Sequence, residues 1–430
     1  MNSRKIKTEH AVSFLFLIIL LFISSYVSAK TFNVSNTTQF RKALEDAALN
    51  GEDDTLILAA GTYRTTDDGQ GTFKFVDNEI YSLTIKAKNG LTADDVIMDG
   101  DNTNRVFWYK NSMESTLTIQ SVTVKNGNSD NSACGGGIYV ENSVIIKNLI
   151  LTGNVADRGY GNSYGGGIYA KGNVTVTNST ISKNDAVGFH YDIFDSAYGG
   201  GIYANGNVTV TNSTISENNA IGDDYQSKGY GGGIYAKGNV TVTNSTISEN
   251  NAYYVDDEDY YGDEVYYSTY GGGIYSKGNV IITNSTISGN NADYDDSYER
   301  GGGIYGYGIF INNIFSDNSS DIYFKGDSLV QNNYVDYEKL RHESSYIIIK
   351  KNNIQPNEGD LNFTDSDFRL GKGSIAINKG LSPTSQTFKK LIKDKSILKA
   401  LKIDKDGNKR IIGKAIDLGP YEYNSKKASK

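Results

Sequence analysis

The sequence is short of the residues that constrain many exported folds. Its 430 residues include one cysteine, three prolines, three histidines and one tryptophan. A single cysteine, Cys134, excludes an intramolecular disulfide, so stability must come from packing and hydrogen bonds. No proline lies between residues 30 and 355, which favours a chain whose backbone N–H groups are nearly all used in β-ladders. No basic patch with interleaved aromatic residues is present, so nucleic acid is not an expected partner.

The N-terminus has the pattern of a secretory signal peptide. Positive charge is followed by an apolar run and by the small residues Val27, Ser28 and Ala29. We expect cleavage after Ala29 and a protein that is secreted or held at the cell surface, including at an outer membrane; an uncleaved anchor is the alternative. No later segment has the ~20 apolar residues of a membrane helix, so we expect no membrane span in the mature chain.

One unit recurs through the middle of the chain. The pentapeptide GGGIY begins at residues 135, 165, 199, 231, 271 and 301, and a core of the type seen at 165–186 follows it with little change. The spacers between the cores vary in length. Repetition with a period of 20–50 residues is typical of solenoids, propellers and arrays.

The repeat alternates apolar and polar residues with a period of two. In the first full unit, Ile168 and Ala170 fall on one face, as do Val174 and Val176, which indicates short strands. About three strands per unit fit one turn of a right-handed parallel β-helix better than a propeller blade. Equivalent residues of successive turns would then stack, so that isoleucines and valines form inward columns and asparagines form ladders.

The rest of the chain is divided around this rod. We predict a signal peptide at 1–29, a single all-β parallel β-helix of ten to thirteen coils at 30–380 with regular repeats at 135–305, a capping or anchor-like segment at 381–423 and a disordered tail at 424–430. Helical spacing of Phe40, Leu44 and Ala47 predicts a helix that caps the N-terminal end.

The repeats carry a family likeness. GGGIY followed by NSTISxN resembles the GGA[I/L/V] and FxxN repeats of chlamydial polymorphic outer membrane proteins and the related pectin-lyase-like β-helix repeats of bacterial and archaeal surface proteins. The C-terminal stretch GSIAINKG…DKDGNKRIIGKAIDLGPYEY resembles the choice-of-anchor segment that closes many bacterial β-helix surface proteins. This resemblance implies extracellular display, although the chain has neither an autotransporter barrel nor a sorting helix.

The five spacers are candidates for a binding surface, and they lie at 157–164, 187–198, 221–230, 253–270 and 293–300. They contain 15 of the 32 tyrosines, and 15 Asp or Glu against three Lys or Arg. Tyrosine gives amphipathic contact area at low entropy cost, and carboxylates of neighbouring coils can share calcium. The alternative to both tyrosine-mediated binding and calcium binding is that the spacers form a solvated, charged surface that keeps the rod soluble. The candidate metal ligands are Asp256, Asp257, Asp259, Asp293, Asp295 and Asp296.

An outward column of tyrosines is the second candidate. Its rings can stack on sugars or, as the alternative, on one another. Together with the longest spacer, it supplies these candidate ligand-binding residues: Tyr253, Tyr254, Tyr260, Tyr261, Tyr266, Tyr267, Tyr169, Tyr203, Tyr235 and Tyr275.

These features predict a non-catalytic, adhesin-like monomer that binds an extracellular glycan or a surface protein. We expect no cofactor, with calcium as the open alternative. The second hypothesis is a polysaccharide lyase or hydrolase that acts on an acidic polysaccharide, as pectate lyases do. The outward strand positions offer no clustered Asp or Arg for such chemistry, and polygalacturonase motifs are missing. A structural role in a surface layer or matrix is the third hypothesis.

Overall fold

The computed structural model describes residues 29–77, 80–111, 115–129, 133–157, 161–188, 195–223, 227–255, 269–292, 301–342, 345–356, 360–410 and 413–423. Nearly all of the predicted signal peptide and the whole predicted tail lie outside these ranges, as do most of the spacer residues.

The chain is a parallel β-helix, as the repeat predicts. Every pairing between its strands is parallel, and each strand pairs with its counterparts in neighbouring coils. In the regular repeats one coil contributes in turn to a 3-stranded, a 20-stranded, a 9-stranded and a 4-stranded sheet. The 20-stranded sheet receives two strands from each of these coils, and Ile274–Thr283 and Ile304–Ile311 each continue through both positions.

The 20-stranded sheet extends almost the full length of the rod. Its strands are Lys30–Val34, Asp54–Leu58, Phe73–Val76, Leu83–Ala87, Phe107–Lys110, Thr116–Gln120, Ile138–Val140, Ser143–Lys147, Ile168–Ala170, Val174–Thr177, Ile202–Ala204, Val208–Thr211, Ile234–Ala236, Val240–Thr243, Ile274–Thr283, Ile304–Ile311, Ile322–Phe324, Ser328–Gln331, Leu340–His342 and Ile348–Lys351.

The three smaller sheets form the remaining sides. The 9-stranded sheet contains Gly61–Arg64, Val96–Asp99, Thr123–Lys125, Ile150–Thr152, Thr180–Ser182, Thr214–Ser216, Thr246–Ser248, Thr286–Ser288 and Ile314–Ser316. The 4-stranded sheet contains Val155–Asp157, Asp185–Gly188, Asn219–Asp223 and Asn251–Val255. The 3-stranded sheet contains Ser163–Tyr164, Ala197–Tyr198 and Gly229–Tyr230.

The core consists of the inward columns that the alternation predicts. Ile168 pairs in register with Ile202, and Val174 pairs with Val208, so like residues lie over like residues. All four side chains are fully buried. Burial of one such side chain contributes about 1.5–3 kcal/mol, and no coil could achieve it without its neighbours.

A second internal column consists of asparagines. The side-chain Nδ2 of each asparagine except the last donates to Oδ1 of the asparagine in the next coil at 2.8–3.0 Å. The same Oδ1 also accepts the backbone N–H of the asparagine in the preceding coil. The ladder contains Asn154, Asn184, Asn218, Asn250, Asn290 and Asn318, which are at most 1 % exposed. Buried amides are tolerated here because each donor and acceptor has a partner.

The glycines that open each repeat have distinct structural reasons. Gly165 has φ +65°, a conformation that side-chain-bearing residues rarely adopt. At Gly166, a Cβ atom would lie 2.3 Å from the carbonyl oxygen of Asp185, so only glycine allows the backbones to approach this closely. The triple glycine therefore reflects the packing of the coil and does not indicate a phosphate-binding loop.

The N-terminal end of the rod is covered, whereas the C-terminal segment lies along the side of the rod, where it contacts Asn244 and Asn312. The predicted N-terminal cap is a helix, α1 (Thr37–Ala47), whose Phe40 and Leu44 pack into the core. Asn36 caps it by accepting the backbone N–H of Gln39. Residues 360–423 form a segment with two short helices, α2 (Gln386–Leu391) and α3 (Lys395–Ala400). A 3₁₀ turn occupies Tyr337–Lys339.

Asp321 ends the asparagine ladder and is expected to make stability depend on pH. Asn318 Nδ2 donates to its Oδ1 at 3.0 Å, and burial raises the pKa of this carboxyl to about 7. The folded state therefore favours the proton, so the contribution to stability is complete below about pH 4 and is lost as the pH rises towards about 7. We expect the free energy of unfolding, from urea titrations across this window, to fall less in Asp321→Asn. Parallel pH profiles for the two proteins would contradict this assignment.

Candidate functional site

The outward tyrosines form two stacked columns. Rings of Tyr169, Tyr203, Tyr235 and Tyr275 follow one another with centroids 4.9–5.2 Å apart and nearly parallel planes. The second column packs edge-on against the first and contains Tyr164, Tyr198, Tyr230 and Tyr270. The stacking alternative is therefore the arrangement observed, and Tyr203 and Tyr235 are each only 3 % exposed. Their ring faces are covered, and sugar binding by this column stays a prediction.

Only part of the longest spacer lies within the described residues. Tyr254 is 5 % exposed and points inward from the strand Asn251–Val255, whereas Tyr253 is half-buried on the outward face. The other candidates from the spacers fall outside the described ranges, namely Tyr260, Tyr261, Tyr266, Tyr267, Asp256, Asp257, Asp259, Asp293, Asp295 and Asp296. Within the ranges that are described, no three His, Cys, Asp or Glu side chains are placed to hold a metal ion.

The structure instead reveals a polar trough at the base of the spacers. It is an open depression of about 410 Å³ lined by Lys183, Asp185, Glu217, Asn219, Glu249, Asn251 and Gly289. These residues form two columns, because Asp185 pairs with Asn219 and Asn219 with Asn251 in the 4-stranded sheet. The trough therefore crosses successive coils, with one rung per coil at ~4.8 Å.

The inner column of the trough is a hydrogen-bonded chain. Asn219 Nδ2 donates to Asp185 Oδ1 at 2.8 Å, and Asn251 Nδ2 donates to Asn219 Oδ1 at 2.9 Å. Burial raises the pKa of the Asp185 carboxyl, against the opposing effect of the bond from Asn219. The carboxamides are thus held in fixed orientations at the floor of an open surface.

The outer column is charged and comes from turns of positive φ. Lys183, Glu217 and Glu249 have φ between 54° and 57°, and Gly289 takes the next position with φ 64°. Lys183 Nζ lies 3.5 Å from Glu217 Oε2, whereas Glu249 is exposed. This pairing leaves the described part of the trough with an excess of acidic groups.

An apolar column follows the inner column on the same outward face. It consists of Val187, Ile221 and Tyr253, each two residues after a rung of the inner column. Burial, and then the charge of Asp185, raise the pKa of Tyr253, so its hydroxyl stays protonated at the edge of the trough. The repeat alone did not reveal this trough, because the residues of its outer column differ from one core to the next.

A second depression, of about 580 Å³, lies where the C-terminal segment meets the rod, and we call it the C-terminal cleft. This cleft contains a cluster of Asp, Arg and Lys side chains, which the outward positions of the repeats do not have. Arg369 contacts Asp365, Asp367 and Asp406 at 2.8–3.0 Å. Lys405 Nζ donates to Thr214 Oγ1 at 2.6 Å and to Thr246 Oγ1 at 3.2 Å.

The charges of this cluster are largely used in holding the segment in place. Hydrogen bonds from the Arg369 guanidinium to the carboxylates, Asp406 foremost, raise the pKa of Arg369. Burial lowers the pKa of Lys405 to about 8. An amine with such a pKa resembles a lyase base, but here it is bound by two threonine hydroxyls. Sequence reasoning missed the cluster because its members lie up to 41 residues apart along the chain, from Asp365 to Asp406.

No helix among the described residues combines the length and apolarity needed to cross a membrane.

Comparison with known proteins adds little to this description. No protein-family model matches the chain, and neither does any curated protein. Among solved structures, the chain is similar to the pectin methylesterase from Aspergillus niger, in its penultimately deglycosylated form, at 13 % sequence identity. That match covers 87 % of this chain and 100 % of the enzyme, with a TM-score of 0.30. An overlap this loose carries no argument about activity, and the fold assignment rests on the parallel, in-register sheets themselves.

Proposed function

We propose that this protein is a secreted or cell-surface β-helix that binds an extended glycan along the polar trough without cleaving it. The observation that carries the proposal is the regular succession of Asp185, Asn219 and Asn251, one rung per coil, on an open surface. Carboxamides and carboxylates in fixed orientations are suited to sugar hydroxyls, which both donate and accept hydrogen bonds.

The neighbouring columns support the same ligand class. Val187, Ile221 and Tyr253 offer an apolar strip parallel to the hydrogen-bonding column, against which the C–H faces of sugar rings can pack. A polymer laid along the rod would meet this pairing of polar and apolar groups at each coil. The tyrosine-rich and acidic spacers leave the rod beside the trough and would add further contacts in our proposal.

The double variant Asn251→Ala/Tyr253→Ala should weaken glycan binding at least about tenfold, which corresponds to ~1.4 kcal/mol. The change removes one rung and its apolar neighbour. Calorimetric titration with cello-, chito- and galacturonate oligosaccharides measures the effect. Thr209→Ala is the matched control, because Thr209 faces outward from the 20-stranded sheet, away from the trough. Equal affinities of the two variants, or the absence of binding to every oligosaccharide, would rule out the proposal.

Glycan hydrolysis is the second candidate function, and one observation favours it. Burial raises the pKa of the Asp185 carboxyl, and Glu217 and Glu249 line the same trough. Glycosidases pair a general acid of raised pKa with a second carboxyl group. The excess of acidic groups fits a neutral substrate better than the acidic polysaccharide expected from the sequence. Release of reducing ends by the native protein, lost in Asp185→Asn, would replace the binding proposal with hydrolysis.

A further inference from the structure

A column of asparagines lies on the outside of the rod, at the turns that lead into the 9-stranded sheet. These residues share φ values of 49° to 62°, so their carboxamides leave the rod in a similar orientation. The column contains Asn148, Asn178, Asn212, Asn244, Asn284, Asn312, Asn332 and Asn352. The sequence predicts a hydrogen-bonded ladder here, but the one bond found between its described members joins Asn312 to Asn284 at 3.3 Å.

Three carboxamides of this column, those of Asn244, Asn312 and Asn332, instead bind peptide groups of the C-terminal segment. Asn312 makes both bonds of an amide pair, because its Nδ2 donates to Leu381 O at 2.9 Å and its Oδ1 accepts the Leu381 N–H at 2.6 Å. Asn244 Nδ2 donates to the carbonyls of Ala400 and Ile403 at 3.1 and 2.9 Å. The column therefore recognises polypeptide backbone, a function that the repeat itself does not require.

Among the described residues, hydrogen bonds join the C-terminal segment to only part of the column. Asn178 and Asn212 border the C-terminal cleft together with Thr180, Thr214 and Tyr421. The Oδ1 atom of Asn212 is buried and accepts no hydrogen bond from any described residue. This atom corresponds to the Asn312 Oδ1 that accepts the Leu381 N–H. A buried acceptor without a donor is costly. Because the Asn212 side chain as a whole is only half-buried, a rotation of its carboxamide would present this oxygen to a peptide N–H in the cleft.

The mouth of the cleft is acidic. Arg369 holds Asp365, Asp367 and Asp406 around one guanidinium, and Lys405 adds a second basic group to the cleft. With Asp404, the acidic side chains still outnumber the basic ones. The side chain of Asp367 is 52 % exposed and that of Asp406 is 37 % exposed, which leaves oxygen atoms open to solvent. A ligand with positive charges at this edge would complement the carboxylates.

We propose that the C-terminal cleft binds an extended, lysine-bearing peptide segment of a partner protein. Asn212 and Asn178 bind the backbone of this peptide, in the way that Asn312 and Asn244 bind the C-terminal segment. The lysines of the peptide face Asp367 and Asp406. An extended peptide places alternate side chains on one face, so lysine at every second position suits the site. Backbone recognition supplies affinity and the acidic mouth selects the side chains, as in other sites that hold extended peptides.

A peptide titration tests this site. The probe is a fluorescein-labelled, acetylated heptapeptide, Lys-Ala-Lys-Ala-Lys-Ala-Lys, added to the full chain, and fluorescence anisotropy reports binding. We expect Asn212→Gly to weaken binding at least about tenfold. Glycine keeps the positive φ while removing the carboxamide. Asn148→Gly is the matched control, because Asn148 has the same backbone conformation but does not line the cleft; we expect its affinity to equal that of the native protein.

The charge of the peptide provides the second arm. The glutamine analogue, Gln-Ala-Gln-Ala-Gln-Ala-Gln, should bind at least about tenfold more weakly than the lysine peptide, and added salt should narrow the difference. The proposal is overturned if Asn212→Gly and Asn148→Gly bind the lysine peptide equally, if the lysine and glutamine peptides bind equally, or if no peptide binds. The oligosaccharides used to test the trough can also be added as competitors of the lysine peptide. If they displace the peptide, and Asn212→Gly abolishes their binding, the cleft would be assigned to a glycan instead.

Discussion

Asn218→Ala is expected to lower the free energy of unfolding by about 4 kcal/mol. Asn218 Nδ2 donates to the carbonyls of Ile181 and Ser216 and to Asn250 Oδ1, all within 3.0 Å. Its Oδ1 also accepts two hydrogen bonds from Asn184. Alanine would therefore leave buried donors and acceptors of three coils without partners, and each costs about 1–3 kcal/mol.

Urea denaturation followed by circular dichroism measures this loss. The matched control is Thr209→Ala, which changes an outward, half-buried side chain of the same coil and is expected to cost less than about 0.5 kcal/mol. A broader transition in Asn218→Ala would also be informative, because coils on either side of the break would unfold separately. If the two variants were equally stable, the ladder would not be the stabilising element described here.

Gly200→Ala is expected to cost about 3 kcal/mol, since it forces apart two sides of the same coil. A Cβ atom at this position would lie 2.2 Å from the carbonyl oxygen and 2.6 Å from the amide nitrogen of Asn219. Both are backbone atoms of the adjoining 4-stranded sheet, which cannot move without breaking its pairing with neighbouring coils. Because Asn219 is also a rung of the trough, the variant should weaken glycan binding as well.

Gly289→Glu is the control for this prediction. Gly289 also has a positive φ, but its Cβ would meet nothing closer than 3.4 Å, and glutamate occupies the equivalent turn at Glu217 and Glu249. We expect thermal unfolding monitored by circular dichroism to show a small change for Gly289→Glu and a large decrease in Tm for Gly200→Ala. A reversed order would show that backbone clearance does not explain the glycine-rich start of the repeat.

The fold was accessible from the sequence because solenoid positions repeat. The alternation around Ile168 and Val174 predicts the inward columns, and the recurrence of Asn184 predicts the buried ladder, both of which the structure confirms. The prediction for the outer asparagines was incomplete for a physical reason. Asn312 binds Leu381, which is 69 residues later in the chain. Asn244 binds Ala400 and Ile403, which are 156 and 159 residues later, and no local pattern reports such contacts.

The candidate site was less accessible. The outer column of the trough, which consists of Lys183, Glu217, Glu249 and Gly289, varies between the repeats, so the consensus does not mark it. The tyrosines were predicted to bind a ligand because they recur. Recurrence in a solenoid also arises from stacking, and the rings of Tyr203 and Tyr235 do stack. Side chains that recur in the same orientation mainly stabilise the stacked coils. Binding residues must therefore be sought at positions that differ between the repeats.

The most direct test of the account is a disulfide cross-link within the trough. In a Cys134→Ser background, Asn219→Cys and Asn251→Cys replace residues that the structure pairs across adjacent coils. Disulfides form readily when Cα atoms lie about 4.4–6.8 Å apart. After mild oxidation, mass spectrometry of non-reduced peptides should show a 219–251 cross-link and no link between Asn219→Cys and Tyr253→Cys, which is two residues out of register. A preferred 219–253 cross-link, or none at either pair, would contradict the in-register stacking on which the trough depends.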